Sequence, residues 1–314
     1  MNAQARTENE QGKGARLKKN KKWETPWIGY AFISPWLAGI LLFILWPMGQ
    51  SLYFSFTDYP LLDAPKWIGI GNYTKMFTED DLFWKSIKIT IVFVVISVPL
   101  KLMFALFMAM LLKQSVKGMS LFRTAVYFPS LVGASIAIAM LWQNILGRDG
   151  FVVAILSWFG REPVSIINSP DTSLLSLIVL AVWQFGSSMV IFLAGLKQIP
   201  GSLYEASAID GASKLRQFFK ITLPMLSPVI LFNLIMQVIS AFQMFTQAFV
   251  ITGGGPMNST NVFALYLYER AFTRFEMGYA SALAWILLVI IALVTVLIFA
   301  TSRKWVFYET EGGK

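Results

Sequence analysis

The chain has 314 residues, 56% of them hydrophobic, a mean hydropathy of +0.61 and a formal net charge of +9. That hydropathy excludes an ordinary soluble domain, and the absence of Cys and His removes disulfides, thiol nucleophiles, Cys-ligated metals and the usual imidazole base. The positive charge sits mainly in the tails and short loops, where it reads as membrane topology and attraction to anionic lipid rather than nucleic-acid binding.

Residues 1–27 carry seven Lys/Arg and three acids, including Lys18-Lys19 and Lys21-Lys22. No apolar core with a small-residue cleavage site begins the chain, so this stretch is expected to be a basic cytosolic tail rather than a cleaved leader. Six apolar stretches are long enough to cross a bilayer: Ile28–Phe54, Trp84–Leu112, Leu121–Leu146, Leu174–Leu196, Met225–Val250 and Gly278–Thr301. Each is expected to be a helix, because backbone polar groups in lipid must pair within their own segment. The expected fold is one all-α polytopic membrane domain over residues 28–301, with a short tail at 302–314. An even number of spans puts both termini on one side. That side holds 17 Lys/Arg against 7 on the other, which makes it the cytosolic side.

The first span opens on Trp23, Trp27 and Tyr30, an interfacial aromatic belt, and Pro35 and Pro47 are expected to kink it. An outer loop rich in turn formers and acids follows, from Thr57 to Asp81. The second span holds Lys101 toward its cytosolic end. An intramembrane lysine either faces protein or a water-filled cavity, or snorkels to the interface. The third span opens at Arg123, and Pro129 with Gly133 permits a bend of the kind found in helices lining transport paths. Residues 147–173 are too polar to cross, and Phe151–Phe159 reads as a short helix lying on the membrane. The fourth span is apolar except for Trp183, Gln184, Ser187 and Ser188.

Residues 201–224, GSLYEASAIDGASKLRQFFKITLP, are polar and clamped between two spans. Pro200 stops the preceding helix, and Ser202 with Glu205 has capping-box spacing. A helix from Leu203 is expected to end near Gly211, where glycine takes the left-handed conformation. Ser213 then caps a second helix with Leu215, Phe218 and Phe219 on one face, opposite Lys214, Arg216, Gln217 and Lys220, and Leu223-Pro224 ends it. Such an elbow is either an amphipathic interfacial connector or a docking lever.

The fifth span places Asn233, Gln237, Ser240, Gln243 and Gln247 within about 120° of one another on one helical face, with Met244 close by. Amides and hydroxyls donate and accept at once, which suits neutral polyhydroxy ligands, though the same groups also join packed helices. No G-x-x-x-x-G-K-[ST] loop occurs, so this chain is not expected to hydrolyse ATP. No Asp or Glu lies in the six apolar cores, which weighs against an ion-coupled carrier.

The order Glu205-Ala206-Ser207, Asp210-Gly211-Ala212, Ile221 and Leu223-Pro224 resembles the EAA loop of ABC importer permeases, with Ser207 in place of the second alanine. Trp67-Ile68-Gly69-Ile70-Gly71-Asn72-Tyr73, Thr252-Gly253-Gly254-Gly255-Pro256, Ala271-Phe272 and Gly278-Tyr279-Ala280-Ser281-Ala282 resemble segments of the carbohydrate permeases in that group, which include the glycerol-phosphate, lactose and maltose permeases. The resemblance runs from about residue 28 to 305 and implies a MetI-like six-helix permease fold. It implies a cytosolic elbow docking into a cleft on an ATPase subunit, with Glu205, Ala206, Asp210, Gly211, Ala212, Phe218, Ile221, Leu223 and Pro224 as coupling residues. Glu205 either meets an arginine there or serves its capping box.

The resemblance further implies a second related permease subunit, two ATPase subunits carrying ATP and Mg, and an extracytoplasmic solute-binding protein. No cofactor is implied in this chain, and the setting is a bacterial or archaeal cytoplasmic membrane. The substrate pathway is expected to include Trp183, Gln184, Ser187, Asn233, Gln237, Ser240, Gln243, Met244 and Gln247, with Trp183 stacking on a sugar ring. No Arg or Lys lies on the fifth-span stripe, so a neutral carbohydrate is expected; Lys101, if it faces the cavity, would hold an anionic group instead. The alternative is an ATP-independent secondary carrier or channel for a small polar solute, in which the elbow has no task.

Overall fold

The computed structural model describes residues 26–114, 118–133, 135–158 and 165–307. The basic tail with Trp23, Phe159 and most of the C-terminal tail lie outside the described residues. The chain divides into two units, one up to Ser51 and one from Leu52 onward. The first unit holds α1 (Pro26–Ile40), a π turn at Leu41–Leu45 and the start of α2 (Trp46–Ser55). Pro35 is carried inside α1. Ahead of Pro47 the Trp46 amide reaches back to the Leu41 carbonyl, so the helix widens by one residue just before a residue that has no N–H to give.

The second unit begins with a hairpin of β1 (Thr57–Asp58) and β2 (Lys66–Trp67), Thr57 opposite Trp67, and then α3 (Gly71–Thr78). Next comes α4 (Asp81–Leu112), capped by Asp80, whose carboxylate accepts from the Leu82 and Phe83 amides. The chain continues through α5 (Met119–Val132), α6 (Ile136–Leu146), α7 (Phe151–Trp158), α8 (Ser173–Trp183) and α9 (Gly186–Gln198). The elbow follows as α10 (Gly201–Ile209) and α11 (Lys214–Gln217), then α12 (Leu223–Phe242), α13 (Phe263–Tyr268) and α14 (Met277–Ser302).

The long α4 is the centre of the second unit, packing against α8, α9 and α12. Ala105 and Ala109 on α4 are fully buried, and small residues at such positions let helices in lipid approach closely. Phe93, Leu102, Leu180, Met189, Phe192 and Leu226 complete this core. A smaller core of Met76, Phe83, Phe263, Tyr266, Tyr279 and Leu283 joins α3, α13 and the first turns of α4 and α14. It lies at the end of the unit away from the elbow.

Among the described residues four helices are long and apolar enough to cross a membrane, and six if each bent pair, α5–α6 and α8–α9, counts as one span. These coincide with the six expected stretches, with two corrections at the fifth. The helix does not stop at Leu223-Pro224: α11 and α12 form one helix, Lys214–Phe242, through a π turn at Phe218–Thr222. The Leu223 amide reaches the Phe218 carbonyl, and this wider turn accommodates the missing proline donor that would otherwise break the helix. Nor does the helix run on to Val250. It ends at Phe242, opens at Gln243–Phe245, and is followed by a π turn at Ala248–Thr252.

Candidate functional site

Three helix breaks meet beside α4. The first is between α5 and α6, where the Gly133 amide still reaches Pro129 but the helix ends. The second is the 40° bend between α8 and α9 at Gln184. The third is the opening at Gln243–Phe245. Gln184 Nε2 donates to the Gly133 carbonyl at 2.9 Å, and Gln247 Nε2 approaches the same oxygen at 3.5 Å. Broken helices leave main-chain groups without an internal partner, and at membrane depth these must be met by side chains or water.

A cavity of about 240 Å³ lies at this meeting point. From α4 it is lined by Phe93, Ser97, Val98 and Lys101, and from α8 by Leu177, Ala181 and Gln184. Gln237, Ser240 and Ala241 of α12, with Gln243, Met244, Phe245, Thr246 and Gln247 of the opening, close the other side. The lining is therefore rich in amides and hydroxyls, carries one cation and has no carboxylate.

Of the expected pathway residues, Gln184, Gln237, Ser240, Gln243, Met244 and Gln247 are brought together here, while Trp183, Ser187 and Asn233 lie outside the lining. Trp183 packs on Trp142, ring centres 5.7 Å apart, and Ser187 is half-buried beyond the bend. Asn233 is buried one turn nearer the elbow, and its Nδ2 donates to Val229 four residues back on its own helix at 3.3 Å. Asn233 shares the face of Gln237 but lies a turn beyond the end of the cavity, whereas Gln243 and Gln247 reach the lining although the helix opens after Phe242. By sequence Lys101 either snorkels or faces a cavity; in the structure it lines the cavity. Ser97, four residues earlier on the same face of α4, was overlooked, although that spacing from an intramembrane lysine is legible.

The elbow is a separate site. Gly211 has φ +74°, the left-handed turn expected of it, and Ser213 Oγ caps α11 through the Arg216 amide at 3.4 Å. The capping box at Ser202 is not formed: α10 starts at Gly201 behind Pro200, with no side chain capping it. The start one residue earlier puts Ser202 inside the first turn, and Glu205 is left exposed. Ser207 donates to the Tyr204 carbonyl and accepts from Gln217 Nε2, both at 2.9 Å. The Tyr204 hydroxyl meets Thr222 Oγ1 at 2.8 Å, so the two elbow helices are tied through their polar residues.

The apolar face expected to anchor α11 is instead open. Leu215 is 68% and Phe219 55% exposed, joined by Ile209 at 87%, while Phe218 is half-buried. Ala206 and Asp210 are also exposed; Ala212, Ile221, Leu223 and Pro224 are half-buried. The polar ties already hold the elbow, while its large apolar side chains stay exposed.

A third cluster, absent from the sequence reasoning, sits at the opposite end. Asp80, beyond capping α4, receives Arg270 Nη2 at 3.0 Å and the hydroxyls of Tyr266 and Tyr279. Arg270 also donates to Tyr266 at 2.7 Å and to Glu276 at 2.8 Å. Burial alone would raise the Asp80 carboxyl; hydrogen bonds from Tyr266 and Tyr279, the Phe83 amide and the Arg270 charge outweigh it and hold the group below the usual carboxylate range. Burial and the bond to Asp80 push the Tyr266 hydroxyl well above its usual range. The sequence signal was an acid in N-cap position before an apolar run, which points to a cap but not to its distant partners. Among the described residues no group of His, Cys, Asp or Glu is arranged to hold a metal ion.

Residues 90–306 match the family model described as "Binding-protein-dependent transport system inner membrane component". The probable ABC transporter permease protein YesP of Bacillus subtilis (strain 168) is 52% identical over 286 residues, covering 90% of this chain and 93% of that protein. The lactose transport system permease protein LacF of Rhizobium radiobacter is 32% identical over 285 residues, covering 88% and 94%. Among solved structures, a chain of a bacterial ABC transporter involved in the import of the acidic polysaccharide alginate superposes with a TM-score of 0.77 at 23% identity, over 92% of this chain and 99% of that one. At that identity the likeness concerns the fold.

Proposed function

The chain belongs to the family of binding-protein-dependent transport system inner membrane components, and from that premise we propose that it is the sugar-conducting permease subunit of an ATP-driven importer. As a family member it is a transport subunit rather than a catalytic enzyme. The lactose permease among its relatives supports a sugar as cargo.

The observation that carries the reading is that the second elbow helix and the cavity-lining helix are one continuous helix, Lys214–Phe242. The rise from Lys214 to Gln237 is about 35 Å at 1.5 Å per residue. A displacement of the elbow at Leu215 therefore moves Gln237 and Ser240 without an intervening joint. Residues 28–301 form the translocation domain, and 201–224 its coupling loop. Two partner ATPase subunits, which hold ATP and Mg, close on nucleotide, draw against Ile209, Leu215 and Glu205, and tilt α12. The exposed Glu205 has no capping task to compete with an arginine on that partner. A second, related permease completes the pathway, and an extracytoplasmic solute-binding protein delivers the sugar. The Lys/Arg bias supports a cytosolic elbow and cytosolic termini, and the family supports a bacterial or archaeal cytoplasmic membrane as the setting.

Co-purification from the native membrane followed by mass spectrometry tests this. Two ATPase copies and one related permease per chain are expected, with sugar uptake in proteoliposomes that needs both ATP and the binding protein. Uptake by this chain without ATP would replace the reading with a secondary carrier or channel.

A further inference from the structure

Lys101 lines the cavity between α4, α8 and α12, with Ser97 one turn before it on the same face. No residue of the lining is Asp or Glu. The three ion pairs among the described residues, Lys75–Glu276, Arg270–Asp80 and Arg270–Glu276, all lie at the far end of the unit, so none involves Lys101. A cation at membrane depth is costly, and such residues ordinarily pair with another ionisable group or with a main-chain carbonyl of the same protein. Here the protein supplies no acidic partner within the described residues. The same cavity is lined by Gln184, Gln237, Ser240, Gln243 and Gln247, groups that donate to and accept from hydroxyls.

The geometry points to a saccharide bearing a carboxylate as the ligand of this cavity: a uronic-acid-containing oligosaccharide, its carboxylate on Lys101 and its hydroxyls on the glutamines and Ser240. This rests on the sugar-permease reading above and narrows it. One ammonium neutralises one carboxylate, whereas a phosphate ester carries close to two charges at neutral pH, and the lining holds no second Lys or Arg. The ligand completes a charge pair that the protein leaves half-made, which separates an acidic sugar from its neutral analogue by the loss of a partner rather than by shape.

The test uses the whole complex with its binding protein in proteoliposomes. Disaccharides with a single uronate, galacturonate, glucuronate or mannuronate joined to one neutral sugar, are each supplied beside the carboxyl-reduced neutral counterpart, with glycerol 3-phosphate as a separate arm. At least one uronate disaccharide is expected to enter ten times or more faster than its reduced form. Lys101→Met and Lys101→Gln should erase that preference and Lys101→Arg should retain it, each compared per assembled complex. Equal uptake of the acidic and reduced sugars overturns the inference in the wild type alone, whether or not the variants assemble. A preference that survives Lys101→Met, or uptake of glycerol 3-phosphate alone, also overturns it. Uptake of neutral sugars only would sink this inference and leave the sugar reading standing. Uptake of no saccharide by an assembled complex would remove both.

Discussion

Gln184 donates its side-chain amide to the main-chain carbonyl of Gly133 across 2.9 Å, joining the bend of one helix pair to the break of another. A β-carbon on residue 133 would stand 2.4 Å from Cγ of Gln184 and 2.7 Å from the Pro129 carbonyl, so the bond depends on glycine there. Gly133→Ala is therefore expected to expel Gln184 from its place. A lost hydrogen bond with an unsatisfied buried carbonyl costs about 1–3 kcal/mol. Thermal unfolding in detergent should show the loss, and uptake per folded complex should fall with it. An alanine variant that melts and transports like the wild type would separate the two breaks functionally.

Gln237 and Ser240 line the cavity while Asn233 does not, although all three share one face of α12. Gln237→Leu and Ser240→Leu should each slow uptake about tenfold or more at unchanged stability, since each removes about 1–3 kcal/mol of hydrogen bonding to a buried ligand. Asn233 has a buried Oδ1 with no partner among the described residues, so Asn233→Leu should leave uptake unchanged and melting unchanged or higher. The opposite pattern, transport sensitive at 233 and indifferent at 237, would move the pathway away from the cavity.

The elbow turns at Gly211 with φ +74°. Gly211→Ala should cost about 1–2 kcal/mol, the penalty of a side chain in the left-handed region. Gly211→Pro cannot adopt the turn at all and should abolish ATPase pull-down while membrane insertion persists. Ile209→Asp and Leu215→Asp, at exposed sites, should weaken pull-down with melting temperature intact. Normal association in both aspartate variants would place the ATPase contact elsewhere.

Arg270 and Asp80 are both largely buried, their side chains 9% and 6% exposed. Asp80→Asn should destabilise by about 1–3 kcal/mol, because it removes one charge partner of a buried guanidinium that keeps Glu276 as its other. The pH dependence follows from the depressed Asp80 carboxyl. Its contribution is complete above the ordinary carboxylate value near 4 and is lost as pH falls through the lower folded-state value. Melting temperature should be flat in this respect from pH 5 to 8 and should fall in acid below about pH 4, less steeply in Asp80→Asn. An equally steep acid fall in that variant would assign the transition to other carboxylates.

The long apolar runs by themselves determined the number and order of the spans, since hydrocarbon leaves the backbone no option but the helix. The fixed points from Glu205 to Pro224 marked the elbow and its turn for a similar reason: a left-handed glycine and a serine cap are local choices, made within a few residues. What the sequence did not disclose were events that depend on neighbours. Pro224 reads as a stop, yet the helix absorbs it in a π turn and joins elbow to cavity. The stripe from Asn233 to Gln247 reads as one face, yet the helix opens after Phe242, where Gln247 reaches toward the Gly133 carbonyl that also takes Gln184. Lys101 had two destinations of similar cost, lipid interface or interior, and only the packing of α8 and α12 around α4 chose the interior. Asp80 and Arg270 lie 190 residues apart. Periodicity reports which face of a helix is apolar; which distant polar group completes a buried charge is decided by tertiary packing, because in a low-dielectric interior a partner has to be within hydrogen-bonding reach to offset desolvation.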